Sequence, residues 1–153
     1  MSAVSSLGGR LDERSLCFVI ACIVQALDAM QRSILLLYRN LVPENVYLTS
    51  SGYAVLMDFR YARRDDGSSR TLCGSPHYLA PEVVRGAVQT SAIDWWSLGV
   101  LLVEMLKVDW PFSDDDPSEL LRKIRSDEEA RALGGPAAAV HRPAHLLPRL
   151  GRR

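Results

Sequence analysis

Five short runs hold the residues whose types and spacing could do chemistry. They are Tyr38-Arg39-Asn40-Leu41-Val42-Pro43-Glu44-Asn45, Asp58-Phe59-Arg60, Thr71-Leu72-Cys73-Gly74-Ser75-Pro76, Ala80-Pro81-Glu82 and Asp94-Trp95-Trp96-Ser97-Leu98-Gly99. Asn40 to Asp58 is 18 positions, Asp58 to Glu82 is 24 and Glu82 to Asp94 is 12. Taken singly, Asp58 reads as a turn residue and Thr71 as an ordinary hydroxyl in a polar loop; the order and intervals set them apart. The groups on offer are carboxylate, carboxamide, hydroxyl and guanidinium. Other chemistries are poorly supplied. Sixteen Arg stand against two Lys, Lys107 and Lys123, so any lysine chemistry must use one of those two. Cys17, Cys22 and Cys73 are odd in number and lack C-x-x-C spacing, which argues against a disulfide framework or a zinc site. His141 and His145 have a metal-like spacing, but Pro143 intervenes and no Cys or carboxylate joins them.

The elements that must position these runs follow from periodicity. From Asp12, a helix N-cap, Leu16, Val19, Ile20, Ile23, Leu27 and Met30 share one face of a helix predicted to fade near Gln31. Asn45–Leu48 and Ala54–Met57 read as strands joined through Ser50-Ser51-Gly52, a small hairpin. Residues 60–79 are polar around Arg63-Arg64-Asp65-Asp66-Gly67 and read as a long loop, a feature that in compact domains is usually functional. Ser91 to Leu106 is apolar almost all round, as in a core helix. Asp116-Pro117-Ser118-Glu119 is a helix start. Residues 1–10 read as an irregular lead-in, 11–130 as one folded unit and 131–153 as a basic, loosely ordered tail.

Composition excludes several classes. With 153 residues, 48% apolar and 24% charged, the chain suits one folded domain and not wholesale disorder. Eighteen basic residues balance eighteen acidic ones, which excludes an overall basic nucleic-acid binder. The balance conceals five Arg and no acid over 131–153, against thirteen basic and eighteen acidic residues before it. Leu16–Val24 and Trp95–Val103 are each too short to span a bilayer. Free thiols and no signal-peptide flank predict a cytoplasmic protein, with the nucleus as second choice.

The runs resemble the protein kinase family. Residues 38–45 are similar to its catalytic loop, Y/H-R-D-L-K-P-E-N; Asp58-Phe59-Arg60 stands for D-F-G; Thr71–Glu82 is similar to an activation segment closing in A-P-E; and the intervals agree without gaps. The T-L-C-G-[ST]-P version resembles the AGC branch, and Tyr38 in place of His resembles the cyclic-nucleotide-dependent kinases, the cGMP-dependent ones among them. The resemblance covers Leu11 to Ser126. It implies the C-terminal lobe of a serine/threonine kinase, mainly helical with a small hairpin and an activation-type loop. By resemblance, Asn40 stands at the catalytic Asp and Val42 at the loop Lys. Asn45 and Asp58 are the Mg²⁺ positions, and Val46, Tyr47 and Leu48, with Leu101 and Met105 below them, flank the ATP site. Thr71 is the phosphorylation site, with Arg39 and Arg63 as its basic partners. Glu44, Glu104 and Ser75 face a protein substrate. Tyr38, Phe59, Glu82 and Asp94 are structural, Asp94 accepting backbone N–H bonds.

The departures shape the expected function. Asn40 cannot take up a proton, Val42 removes a cation, Arg60 replaces a glycine, and His77 replaces an acidic residue. No G-x-G-x-x-G loop or strand Lys precedes the match, so an N-lobe is expected to be absent, as are the helices that follow. The expectation is a catalytically impaired, pseudokinase-like fragment that acts by binding a protein substrate, partner kinase or regulatory domain. A cyclic-nucleotide-binding domain is expected in a longer form, because proteins joining phosphatase, cyclic-nucleotide-binding and kinase-like domains resemble this one in carrying Arg after Asp-Phe. The alternatives are an active kinase whose remainder lies outside this sequence, and a helical interaction module without nucleotide.

Overall fold

The computed structural model describes residues 11–106 and 110–126, and Ser2–Ala3 by backbone alone. Helix α1 spans Glu13–Ile34. Asp12 caps it as expected, its carboxylate accepting from the Ser15 N–H at 2.7 Å. Leu16, Val19, Ile23 and Leu27 are its buried stripe, while Ile20 and Met30 pack at the margin. The helix runs past Gln31 because Leu35 takes a left-handed conformation (φ 50°) and returns its N–H to the Met30 carbonyl. At 22 residues, with an 18-residue stretch of mean hydropathy 1.4, it is long and apolar enough to cross a membrane, longer than the Leu16–Val24 stretch suggested. Its stripe is nevertheless occupied by the core.

The polar middle contains more structure than its composition shows. Strand β1 (Ser2–Ala3), inside the stretch expected to be irregular, pairs antiparallel with β3 (Val46–Leu48). The predicted hairpin joins β3 to β4 (Ala54–Leu56), with Val46 opposite Leu56, and Gly52 turns it at φ 87°. β2 (Leu36–Leu37) pairs with β5 (Arg63–Arg64), so the segment expected to be one loop is pinned to the end of α1. Short 3₁₀ turns follow at Phe59–Tyr61 and Pro76–Tyr78.

Helix α2 (Pro81–Val84) precedes α3 (Ala92–Met105). In α3, Ile93, Asp94, Leu98, Gly99, Val100 and Leu101 are buried, as an all-round apolar helix requires. Helix α4 (Pro117–Arg125) starts at Asp116, which accepts from the Ser118 N–H at 2.8 Å. Its Glu119 pairs with Arg122 at 2.7 Å. The main core joins α1, the hairpin and α3 through Ile23, Leu27, Tyr38, Val46, Val100 and Leu101. A smaller cluster of Phe112, Leu120 and Ile124 seats α4. The expected tail over 131–153, with His141 and His145, lies outside the described residues.

Leu27 has no exposed surface. Leu27→Ala is expected to lower unfolding free energy by about 2–5 kcal/mol in urea titration. Phe18, 46% exposed on the same helix, should lose only about 1 kcal/mol on truncation, mostly its ring contact with Tyr53.

Candidate functional site

Four polar residues are buried in the described chain: Asn40, Ser69, Gln89 and Asp94. All four converge on residues 38–40. Asp94, on the first turn of α3, accepts from the backbone N–H of Tyr38 at 2.9 Å and of Arg39 at 2.8 Å. Two consecutive N–H groups can meet one carboxylate because Arg39 is left-handed, at φ 63°. Such a backbone costs a non-glycine residue roughly 1–2 kcal/mol, less than the charge-assisted hydrogen bonds return. Burial pushes the Asp94 carboxyl up from its ordinary range, and the donors from Arg39, Tyr38 and Gln31 oppose that. Asp94 thus ties residues 38 and 39 to the start of α3.

The Arg39 side chain leaves on the other side of the turn. Its Nε donates to the Tyr61 carbonyl at 2.7 Å, and Nη1 donates to Ser69 Oγ at 2.8 Å and Gln89 Oε1 at 3.1 Å. Ser69 Oγ also donates to Gln89 Oε1 at 2.9 Å, and Gln89 Nε2 donates to the Thr71 carbonyl at 2.8 Å. Arg63 donates to Ser68 Oγ at 2.9 Å. Both arginines therefore reach the segment of Thr71, which is exposed, through neighbouring serines. Gly74 lies close by at φ 107°, where a Cβ would stand 3.2 Å from the Arg39 carbonyl; only glycine fits without displacement.

Asn40 and Asp58 meet. Asn40 Nδ2 donates to Asp58 Oδ2 and to the Asp58 carbonyl, each at 3.2 Å. Asn45 Nδ2 donates to the Asn40 carbonyl at 2.9 Å. Asp58 is itself left-handed (φ 57°) and caps the Phe59–Tyr61 turn. That turn brings Arg60 Nε to 2.7 Å from Asp58 Oδ1. The Arg60 bond, ahead of a smaller contribution from Asn40, holds the Asp58 carboxyl below the usual carboxylate range. Both Asp58 oxygens are thus engaged by N–H donors. Asp58 and Asn45 offer the oxygen ligands a hard divalent cation takes, but at Asp58 that cation would compete with Arg60 and Asn40 for the same two oxygens.

The other expected positions sort clearly. The Val42 side chain is buried in the core. Val46 has no exposed surface and belongs to the main core. Leu101 is equally buried, while Tyr47, Leu48 and Met105 keep partial exposure. The Tyr38 and Phe59 rings pack edge to face at 5.2 Å, and the Tyr38 hydroxyl donates to the Met57 carbonyl. Tyr78 donates its hydroxyl to Glu104; burial first, then Glu104 and Glu44, push that hydroxyl up, so both carboxylates act on one spot. Ser75 lines a small cavity beside Asn40 and Val42. Glu82 sits in the first turn of α2. His77 packs at a tilt against Trp110, ring centres 4.6 Å apart. Sequence reasoning missed Ser69, Gln89 and Gln31, which orients Trp95 through its Oε1 at 2.9 Å.

Asp94→Asn replaces one acceptor oxygen by a donor facing an N–H, so it is expected to destabilise by about 2–3 kcal/mol in urea unfolding. The Asp58 carboxyl is lower when folded than its reference 3.8. Its stabilisation is therefore full above that value and lost as pH falls through the folded one. The stability difference between the unaltered chain and Asp58→Asn should stay level above about pH 5 and shrink below about pH 4.

A protein kinase domain matches residues 2–145. The chain is 39% identical over 117 residues to a cAMP-dependent protein kinase catalytic subunit of Dictyostelium discoideum, covering 76% of this chain and 18% of that protein. It is 35% identical over 147 residues to cGMP-dependent protein kinase 2 of Homo sapiens, covering 95% and 19%. It is 38% identical over 118 residues to cAMP-dependent protein kinase catalytic subunit 3 of Drosophila melanogaster, covering 77% and 20%. The chain spans about a fifth of the length of these curated relatives. With the match running through all five runs and through the buried cluster that joins them, this chain belongs to the protein kinase family.

Proposed function

We propose that this chain is the C-terminal lobe of an AGC-type serine/threonine kinase whose phosphoryl transfer is impaired, and that it acts by binding a protein partner. The supporting observation is Asn40. A base at this position must accept the proton of the substrate hydroxyl. Asn40 instead carries an amide whose N–H₂ group is spent on Asp58 at 3.2 Å, and an amide has no proton-accepting pKa near neutrality. General-base assistance is worth roughly 10²–10⁴ in rate. Val42, buried and apolar, supplies no charge where a lysine would face the transferring phosphate.

The remaining assignments follow the same reading. ATP with Mg²⁺ is what the family uses, and Asn45 and Asp58 are the positions that would face the metal. Thr71–Glu82 is the activation-type segment, with Thr71 its phosphorylation site and Arg39 with Arg63 its basic partners. Glu44, Glu104 and Ser75 form the side that faces peptide. Leu35, Met57, Phe59 and Tyr61 are large apolar side chains left exposed, available to a protein partner.

The test is a fusion of this chain behind an N-terminal lobe taken from a cyclic-nucleotide-dependent kinase. Asn40→Asp with Val42→Lys in that fusion should raise peptide phosphorylation at least about a hundredfold over the unrepaired fusion. Equal turnover by both would refute the reading.

A further inference from the structure

We propose that Arg60 is a built-in counter-ion at Asp58 that takes the place of a divalent cation and disfavours metal binding there. The proposal rests on the assignment of Asp58 above and adds its regulation. Proximity is set by local geometry. Asp58 is held at φ 57° as the cap of the Phe59–Tyr61 turn, and the turn folds residue 60 back over its own cap. Arg60 N approaches Asp58 Oδ1 at 3.4 Å and Nε at 2.7 Å. Asn40 Nδ2 takes Oδ2 at 3.2 Å. The carboxylate is therefore orientated from three directions without any metal, and a cation would have to displace a guanidinium from one oxygen and meet an amide at the other. A glycine at residue 60 would leave Oδ1 open.

The effect has a bounded size. The Arg60 side chain is 68% exposed and that of Asp58 27%, so water screens the pair. An exposed pair of this kind changes an equilibrium by up to about fivefold, and salt weakens it. Arg60 therefore lowers metal affinity and does not abolish it.

Mn²⁺ alone is the probe, with free Mn²⁺ read by electron paramagnetic resonance during titration of the full chain. Arg60→Gln keeps side-chain length and removes the charge; at this exposure it should leave the circular dichroism unchanged. It is expected to tighten Mn²⁺ by about fivefold at low salt, with the gain shrinking at high salt. Arg60→Lys should behave as the unaltered chain, and Asp58→Asn in the Arg60→Gln background should remove the gain. Equal or weaker Mn²⁺ binding by Arg60→Gln, or a gain that survives Asp58→Asn, would overturn the proposal. Equal phosphoryl transfer by the repaired and unrepaired fusions would refute the proposed function and still leave these affinities to decide the role of Arg60.

Discussion

The carboxylate of Asp94 is the interaction on which the rest depends. It is 1% exposed on an otherwise apolar helix, and an unpartnered charge there would be strongly destabilising. Its partners are the backbone N–H groups of Tyr38 and Arg39, which fixes the left-handed turn at Arg39. The turn sends the Arg39 side chain toward Ser69 and Gln89 and the Asn40 side chain toward Asp58. One buried charge on α3 thus positions the 38–45 loop, and the loop in turn positions the 58–62 turn and the polar segment after it.

What this framework holds in place differs in kind from what it lacks. The groups that set geometry are present: Asp94, Arg39, Asn45 and the Tyr38–Phe59 ring contact. At the two positions on which the proposed function turns, the chain carries the neutral side chains Asn40 and Val42. Magnitudes rank the replacements. Loss of a general base removes roughly 10²–10⁴ in rate, whereas the Arg60–Asp58 pair, exposed to water, shifts a cation equilibrium by up to about fivefold. In the proposed function Asn40 therefore carries the larger effect and Arg60 the smaller. The neutral partners of Arg39 fit the same pattern. Ser69 and Gln89 satisfy a guanidinium with a hydroxyl and an amide oxygen, so the segment is held without an added charge.

The parts legible in the sequence are those governed by local physics. Asp12 and Asp116 declared two helix starts, the Leu16–Leu27 stripe declared the buried face of α1, and Ser50-Ser51-Gly52 declared the hairpin. The intervals among Asn40, Asp58, Glu82 and Asp94 carried the family. Non-local pairings stayed hidden. Two-residue strands such as Leu36–Leu37 with Arg63–Arg64 have no periodicity to detect, and Ser2–Ala3 has none either. Ser69 and Gln89 look like solvated loop residues, because only tertiary placement buries them. The Arg60–Asp58 pair follows from a left-handed cap that no residue type at position 58 announces.

Amide hydrogen exchange at Tyr38 and Arg39 tests the central claim most directly. If the Asp94 carboxylate holds the loop, both amides should exchange only through opening as costly as global unfolding, as core amides do. The Gly52 amide, bonded only to the Thr49 carbonyl at 3.0 Å within the exposed hairpin turn, provides the internal reference for exchange by local opening. Exchange of Tyr38 and Arg39 at the rate of Gly52, in a chain whose α3 core amides remain protected, would contradict the account.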